Sequence, residues 1–91
     1  MVADKYEFIL FISGMSVKSV HAIENLEAIC KEYFNTNFDI KIIDINKEPE
    51  AAEQYQIFAI PTLIKKQPLP VRTILGDLSD KQKILKILDI I

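Results

Sequence analysis

Ile57-Phe58-Ala59-Ile60-Pro61-Thr62-Leu63-Ile64 places a proline at the mouth of an apolar run. Proline cannot donate to a strand ladder, so it is tolerated at the first residue of a strand and not in its centre. Pro61 therefore marks the start of a strand, and its neighbours on both sides can be read outward from it. Upstream, Asn46 to Gln56 combines Pro49, suited to a first helical turn, with Glu50, Ala51, Ala52, Glu53 and Gln54, which favour a short helix. Downstream, Pro68-Leu69-Pro70 forces an extended turn, Val71 to Leu75 offers another strand, and Gly76-Asp77 permits a tight exit. The two strands flanking the proline-rich turn are expected to form an antiparallel hairpin.

Tyr6-Glu7-Phe8-Ile9-Leu10-Phe11-Ile12 is rich in aromatic and branched residues and stops at Ser13-Gly14, as a central strand covered on both faces does. Ser16 is a good N-cap, and Met15 and Val20 stand where a hydrophobic staple would close. Val20, Ile23, Leu26, Ile29, Cys30 and Tyr33 recur at helical spacing, which predicts a helix from Val17 to Phe34 ended by Asn35-Thr36-Asn37. Phe38 to Ile45 reads as a strand reached by that helical crossover, completing a right-handed βαβ unit. At the other end Ser79-Asp80-Lys81-Gln82 reads as a capping box ahead of Ile84, Leu85, Ile87, Leu88 and Ile91, so the chain is expected to end in a helix. The fold class is α/β: a single domain over residues 1–91 in the order βαβαββα. With a proline opening the third strand, that order resembles thioredoxin, and a cis bond before Pro61 is expected by analogy.

Ninety-one residues, 49% of them hydrophobic, suffice for one compact domain that buries a modest share of its surface. A net charge of −2 lacks the field that gathers nucleic acid or anionic lipid, so neither is an expected partner. The apolar run at Tyr6 to Ile12 is too short to span a bilayer, and no leader pattern surrounds it. The lone Cys30 cannot form an internal disulfide, a Cys-x-x-Cys pair or a multi-thiolate metal site, and the composition reads as cytoplasmic.

Catalytic chemistry is sparse. Where thioredoxins carry two cysteines, between the first strand and the first helix, this chain has Ser13-Gly14-Met15-Ser16. Ser16 is a weak nucleophile without an adjacent base, and the only histidine, His21, lies more than a turn further along the same helix. Cys30 shares the apolar stripe of Leu26 and Tyr33 and reads as a small buried hydrophobe. Asp39, Asp44, Glu48, Glu50 and Glu53 lack calcium-loop spacing, and Gly14 and Gly76 are too far apart for a phosphate loop. No cofactor and no metal are expected, and no enzymatic activity.

Pro68-Leu69-Pro70-Val71-Arg72-Thr73-Ile74-Leu75-Gly76-Asp77-Leu78-Ser79 resembles the proline-rich hairpin and Gly-Asp-Leu-Ser segment of the KaiB family of bacterial clock proteins. Gly14, Ser19, Ile42-Ile43-Asp44 and Ala59-Ile60-Pro61-Thr62-Leu63 match further family positions, so the resemblance covers essentially the whole chain. It implies binding to a KaiC-like hexameric RecA-type ATPase, competition there with a SasA-type histidine kinase, and capture of KaiA where present. It also implies a homo-oligomer and two folds, one thioredoxin-like and one with the C-terminal half rearranged into strand–helix–helix–strand order. Isoleucine-rich Ile84 to Ile91 suits either, since branched side chains fit strands as well as buried helices. By resemblance Lys41, Lys65 and Arg72 are expected at the partner interface, Asp89 at a position that biases the fold, and Pro61 and Gly76 at structural positions. A stand-alone sensor domain partnering a histidine kinase and a redox protein using Cys30 are the competing readings; stress-response regulation is the alternative setting to a clock.

Overall fold

The computed structural model describes residues 5–90. Its elements run β1 (Tyr6–Ile12), α1 (Val17–Phe34), β2 (Phe38–Asp44), α2 (Pro49–Gln54), β3 (Thr62–Gln67), β4 (Arg72–Leu75) and α3 (Lys81–Ile87). This is the expected βαβαββα order, and α1 has the bounds that its periodicity predicts. Ile91, the last residue of the expected apolar face of α3, lies outside the described residues.

The four strands stand in the order β2-β1-β3-β4. β1 pairs with β2 in parallel, from Tyr6 opposite Phe38 to Ile12 opposite Asp44, a geometry that requires a crossover as long as α1. On its other side β1 is antiparallel to β3, and β3 is antiparallel to β4. Central β1 is therefore apolar on both faces. Phe8, Leu10 and Ile12 join Ala22, Leu26, Ile29 and Cys30 of α1, Leu63 and Ile74 of the hairpin, and Ile84, Leu85 and Leu88 at the C-terminal end. Ile9 and Phe11 face the opposite way, with Ile43, Ile64 and the half-buried Ala51 of α2 and Tyr55 at its C-cap.

Several local readings are corrected. The helix α3 is capped by Asp80, whose carboxylate accepts from the Lys83 N–H at 3.2 Å, and not by Ser79; the Ser79 N–H donates to Asp77 instead. It stops at Ile87, because Asp89 adopts a left-handed φ of 60° that cannot continue a right-handed helix. Met15 is 75% exposed, so it does not fold back as a staple on Val20. The inward aromatic at the end of α1 is Phe34, stacked on Tyr6 with ring centroids 3.9 Å apart, while Tyr33 lies on the rim beneath the Lys81 ammonium. The Ile60–Pro61 bond is cis, as expected.

Candidate partner-binding surface

The loop joining β1 to α1 is held by a hydrogen-bonded lattice. Asp44, at the end of β2, accepts from the N–H groups of Gly14 at 3.2 Å and Asn46 at 2.9 Å, and the Asn46 side-chain amide donates to Ser13 Oγ at 3.1 Å. Ser19 Oγ accepts from the Ser13 N–H at 3.3 Å and from the Ser16 hydroxyl at 2.8 Å. Gly14 sits at φ +57°, a conformation that side chains rarely adopt. Ser16 thus spends its hydroxyl on Ser19 and its oxygen on the Ser19 N–H, the cap expected of it. The outcome is a rigid turn that presents apolar Met15 and Val17, 75% and 71% exposed.

The two backbone donors, Asn46 first and Gly14 second, hold the Asp44 carboxyl below the usual carboxylate range. Because the folded-state value is depressed, the stabilisation is present in full above the ordinary carboxylate range and is lost as pH falls through the folded value. Asp44→Asn is accordingly expected to show a shallower loss of stability than the parent chain as pH is lowered from about 5 to 2, read from urea midpoints at each pH.

Burial pushes the Cys30 thiol up to about 12, with Glu27 adding to the shift. The thiolate is the reacting form, so the native protein is expected to resist iodoacetamide and to be alkylated only once unfolded, as mass spectrometry would read. Rapid native labelling would reopen the redox reading.

The residues expected at the partner interface do not converge. Lys41 lies exposed on the free edge of the sheet, opposite Ile9, so it shares the α2 side with Lys66, Glu7 and Tyr55 around one shallow cleft. Arg72 lies on the opposite edge strand and points to the α1 and α3 side, where its guanidinium stands 3.6 Å from Asp89. Lys65 is not a surface cation in this conformation: it is 2% exposed, its ammonium 5.9 Å from the centre of the Tyr6 ring. Its stem fills the sheet face between Phe8 and Arg72, its register partners on either side.

The other expected positions do pair up. The Pro61 carbonyl accepts from the Gly76 N–H at 2.9 Å, which joins the loop entering β3 to the loop leaving β4, and Gly76 adopts φ +105°. Asp89 reaches back to Arg72. What the cation pattern does not reveal is a set of exposed apolar side chains: Phe58 is 94% exposed, Leu69 69%, Val71 55% and Leu75 64%. Alternation on β4 buries Ile74 in the core shared with α3 and turns Leu75 to the opposite face; neither Leu75 nor Val71 joins either buried cluster. The unusual proline-rich apolar hairpin is the sequence signal that marks part of it. Among the described residues no group of acidic, histidine or cysteine side chains is arranged to hold a metal, and no helix is long and apolar enough to cross a membrane.

The scaffold is thioredoxin-like, with a hydrogen-bonded serine turn where thioredoxins carry their two cysteines. Solved structures share the scaffold: the N-terminal domain of Synechococcus elongatus SasA superposes with a TM-score of 0.78 at 21% identity, covering 100% of this chain and 90% of that one. The Drosophila melanogaster thioredoxin Deadhead gives 0.73 at 18% identity, covering 97% and 82%. Residues 9–90 match the KaiB domain. The circadian clock protein KaiB3 of Synechocystis is 43% identical over 90% of this chain and 80% of its own length, and the circadian clock oscillator protein KaiB of Synechococcus elongatus 44% over the same shares. The chain belongs to the KaiB family.

Proposed function

We propose that this chain is a non-catalytic cytoplasmic adaptor that binds a KaiC-like RecA-type ATPase and modulates its phosphorylation or signalling output. The observation that carries the reading is the family match over residues 9–90, with relatives named as circadian clock proteins. The structure supports it on two counts. The loop that performs dithiol exchange in thioredoxins holds serines bonded to each other, and the exposed side chains of Phe58, Leu69, Val71 and Leu75 offer the apolar area from which association free energy comes. Arg72 and Lys41, both exposed and on opposite edges, steer encounter with acidic groups of the partner. Lys65 contributes from within, by placing β3 and β4. Self-association, competition with a SasA-type histidine kinase and capture of KaiA belong to the same proposal, in a clock or in stress-response regulation.

The test is size-exclusion chromatography of the chain with the KaiC-like ATPase of the same cell, with and without nucleotide, beside Arg72→Ala and Lys41→Ala. A nucleotide-dependent complex that weakens in the variants supports the adaptor and its cations. No complex from folded protein, together with capture of a histidine kinase, would replace it with the sensor-domain reading.

A further inference from the structure

β4 ends the sheet, and one hydrogen bond fixes which of its backbone groups face outward. The Gly76 N–H donates to the Pro61 carbonyl at 2.9 Å. Backbone groups along an antiparallel strand alternate in direction, and the register of β4 against β3 runs unbroken from Leu75 opposite Thr62 to Arg72 opposite Lys65. Gly76, Ile74 and Arg72 therefore turn their N–H groups toward β3, while Thr73 and Leu75 turn theirs to the free edge. The Val71 carbonyl shares a planar peptide with the Arg72 N–H and points outward with them. The side chains of Thr73 and Leu75 lie exposed on one face, opposite to that of buried Ile74.

An unpaired edge invites a further strand, and proteins guard such edges with charge. The other edge of this sheet is guarded: β2 carries Asp39 and Lys41, both exposed, on its α2 side, and Asp39 is paired with Lys5 at 2.9 Å. On β4 the corresponding positions, Thr73 and Leu75, are uncharged, and its one cation, Arg72, leans the other way to Asp89 at 3.6 Å. The outward pattern is also self-complementary. When two copies lie antiparallel about Thr73, each Thr73 exchanges N–H···O bonds with Thr73 of the other copy, and each Leu75 N–H meets the Val71 carbonyl of the other copy. Leu75, 64% exposed, then stands beside Val71, 55% exposed. Arg72 falls opposite Ile74 of the other copy, so like charges do not face each other.

We propose that β4 is a self-association edge, where a second copy of this chain pairs antiparallel about Thr73 and continues the sheet. The proposal gives a surface to the self-association included in the proposed function and rests on that part of the reading alone. A join this short makes a weak, reversible dimer.

Sedimentation equilibrium of the whole chain, with no partner present and over a concentration series reaching about 1 mM, tests this beside Thr73→Lys and Thr73→Glu. The parent is expected to dimerise reversibly. Each variant alone sets like charges opposite each other and is expected to weaken dimerisation by about five-fold, the upper end for such a cross-strand pair. An equimolar mixture of the two is expected to recover the parent affinity or better, because lysine then faces glutamate. A parent that stays monomeric overturns the proposal together with self-association. Dimers that the variants leave intact, or a mixture that does not recover, overturn the β4 edge alone and leave self-association and the adaptor reading standing. Thr73 is exposed and its N–H turns to solvent, so both variants are expected to keep the parent's urea midpoint. Leu75→Lys, on the same free edge, takes the place of either variant that does not fold, with the same loss of dimer expected.

Discussion

Replacing Phe58 with serine is expected to weaken the proposed complex with a KaiC-like ATPase by about thirty-fold or more while leaving the urea midpoint of the free chain nearly where it was. The expectation rests on the contrast between its size and its surroundings. A 94% exposed aromatic in the loop between Ile57 and Ile60 supports little of the core, so its removal opens no cavity. Aromatic anchors dominate the free energy of protein interfaces, and truncating one at a well-packed centre costs about 2 kcal/mol or more, which is the thirty-fold quoted. Isothermal titration of the parent and variant chains gives both numbers that matter, since denaturation of the same samples checks the midpoint. Undiminished affinity in a complex that does form would move the interface away from the α2–β3 loop and toward the Arg72 edge.

Phe8→Ala should have the opposite profile. Phe8 is 2% exposed, packed beside the stacked pair of Tyr6 and Phe34 with ring centroids 6.0 Å and 6.1 Å away, on the strand that both halves of the sheet share. Deleting a buried aromatic costs about 3–5 kcal/mol in transfer and cavity terms. Small domains hold about 5–15 kcal/mol in total, and one of this size is expected at the lower end. The variant is therefore expected to lose half or more of its stability, visible as a large fall in urea midpoint, and to bind less only in proportion to its unfolded fraction. A midpoint lowered by less than about 1 kcal/mol equivalent would show that the aromatic cluster repacks around the gap.

The order of elements was legible because strong local signals agreed: an uninterrupted apolar strand, an 18-residue amphipathic repeat with Ser16 at its head, and a proline at the threshold of β3. Caps were less legible where two good candidates adjoin, as Ser79 and Asp80 do, since either side chain could accept the free N–H groups and only the tertiary path of Gly76 to Leu78 decides. The end of α3 was hidden because an isoleucine-rich run carries no stop signal; the stop is a backbone conformation at Asp89. Asp44 read as one more solvated carboxylate, yet one of its two donors, Gly14, lies thirty positions away, a relation that no local pattern contains. Lys65 misled for a simpler reason. A charge is expected in water, and its place in the alternation of β3, one residue on from Ile64 and on the face of Leu63, was the only sign that it turns inward.

The position of β1 at the centre of the sheet bears on how the chain comes off the ribosome. It is made before the other three strands of its sheet, and its antiparallel partner β3 is made only after the whole of α1, β2 and α2. During that interval Phe8 to Ile12, the most apolar stretch of the molecule, has at most one neighbour to pair with, and non-local pairing of this kind is slow. Nascent chains therefore expose an unpaired, aggregation-prone edge in the middle of what will be the core, and α1, which needs only its own residues to form, is the element available to cover it first.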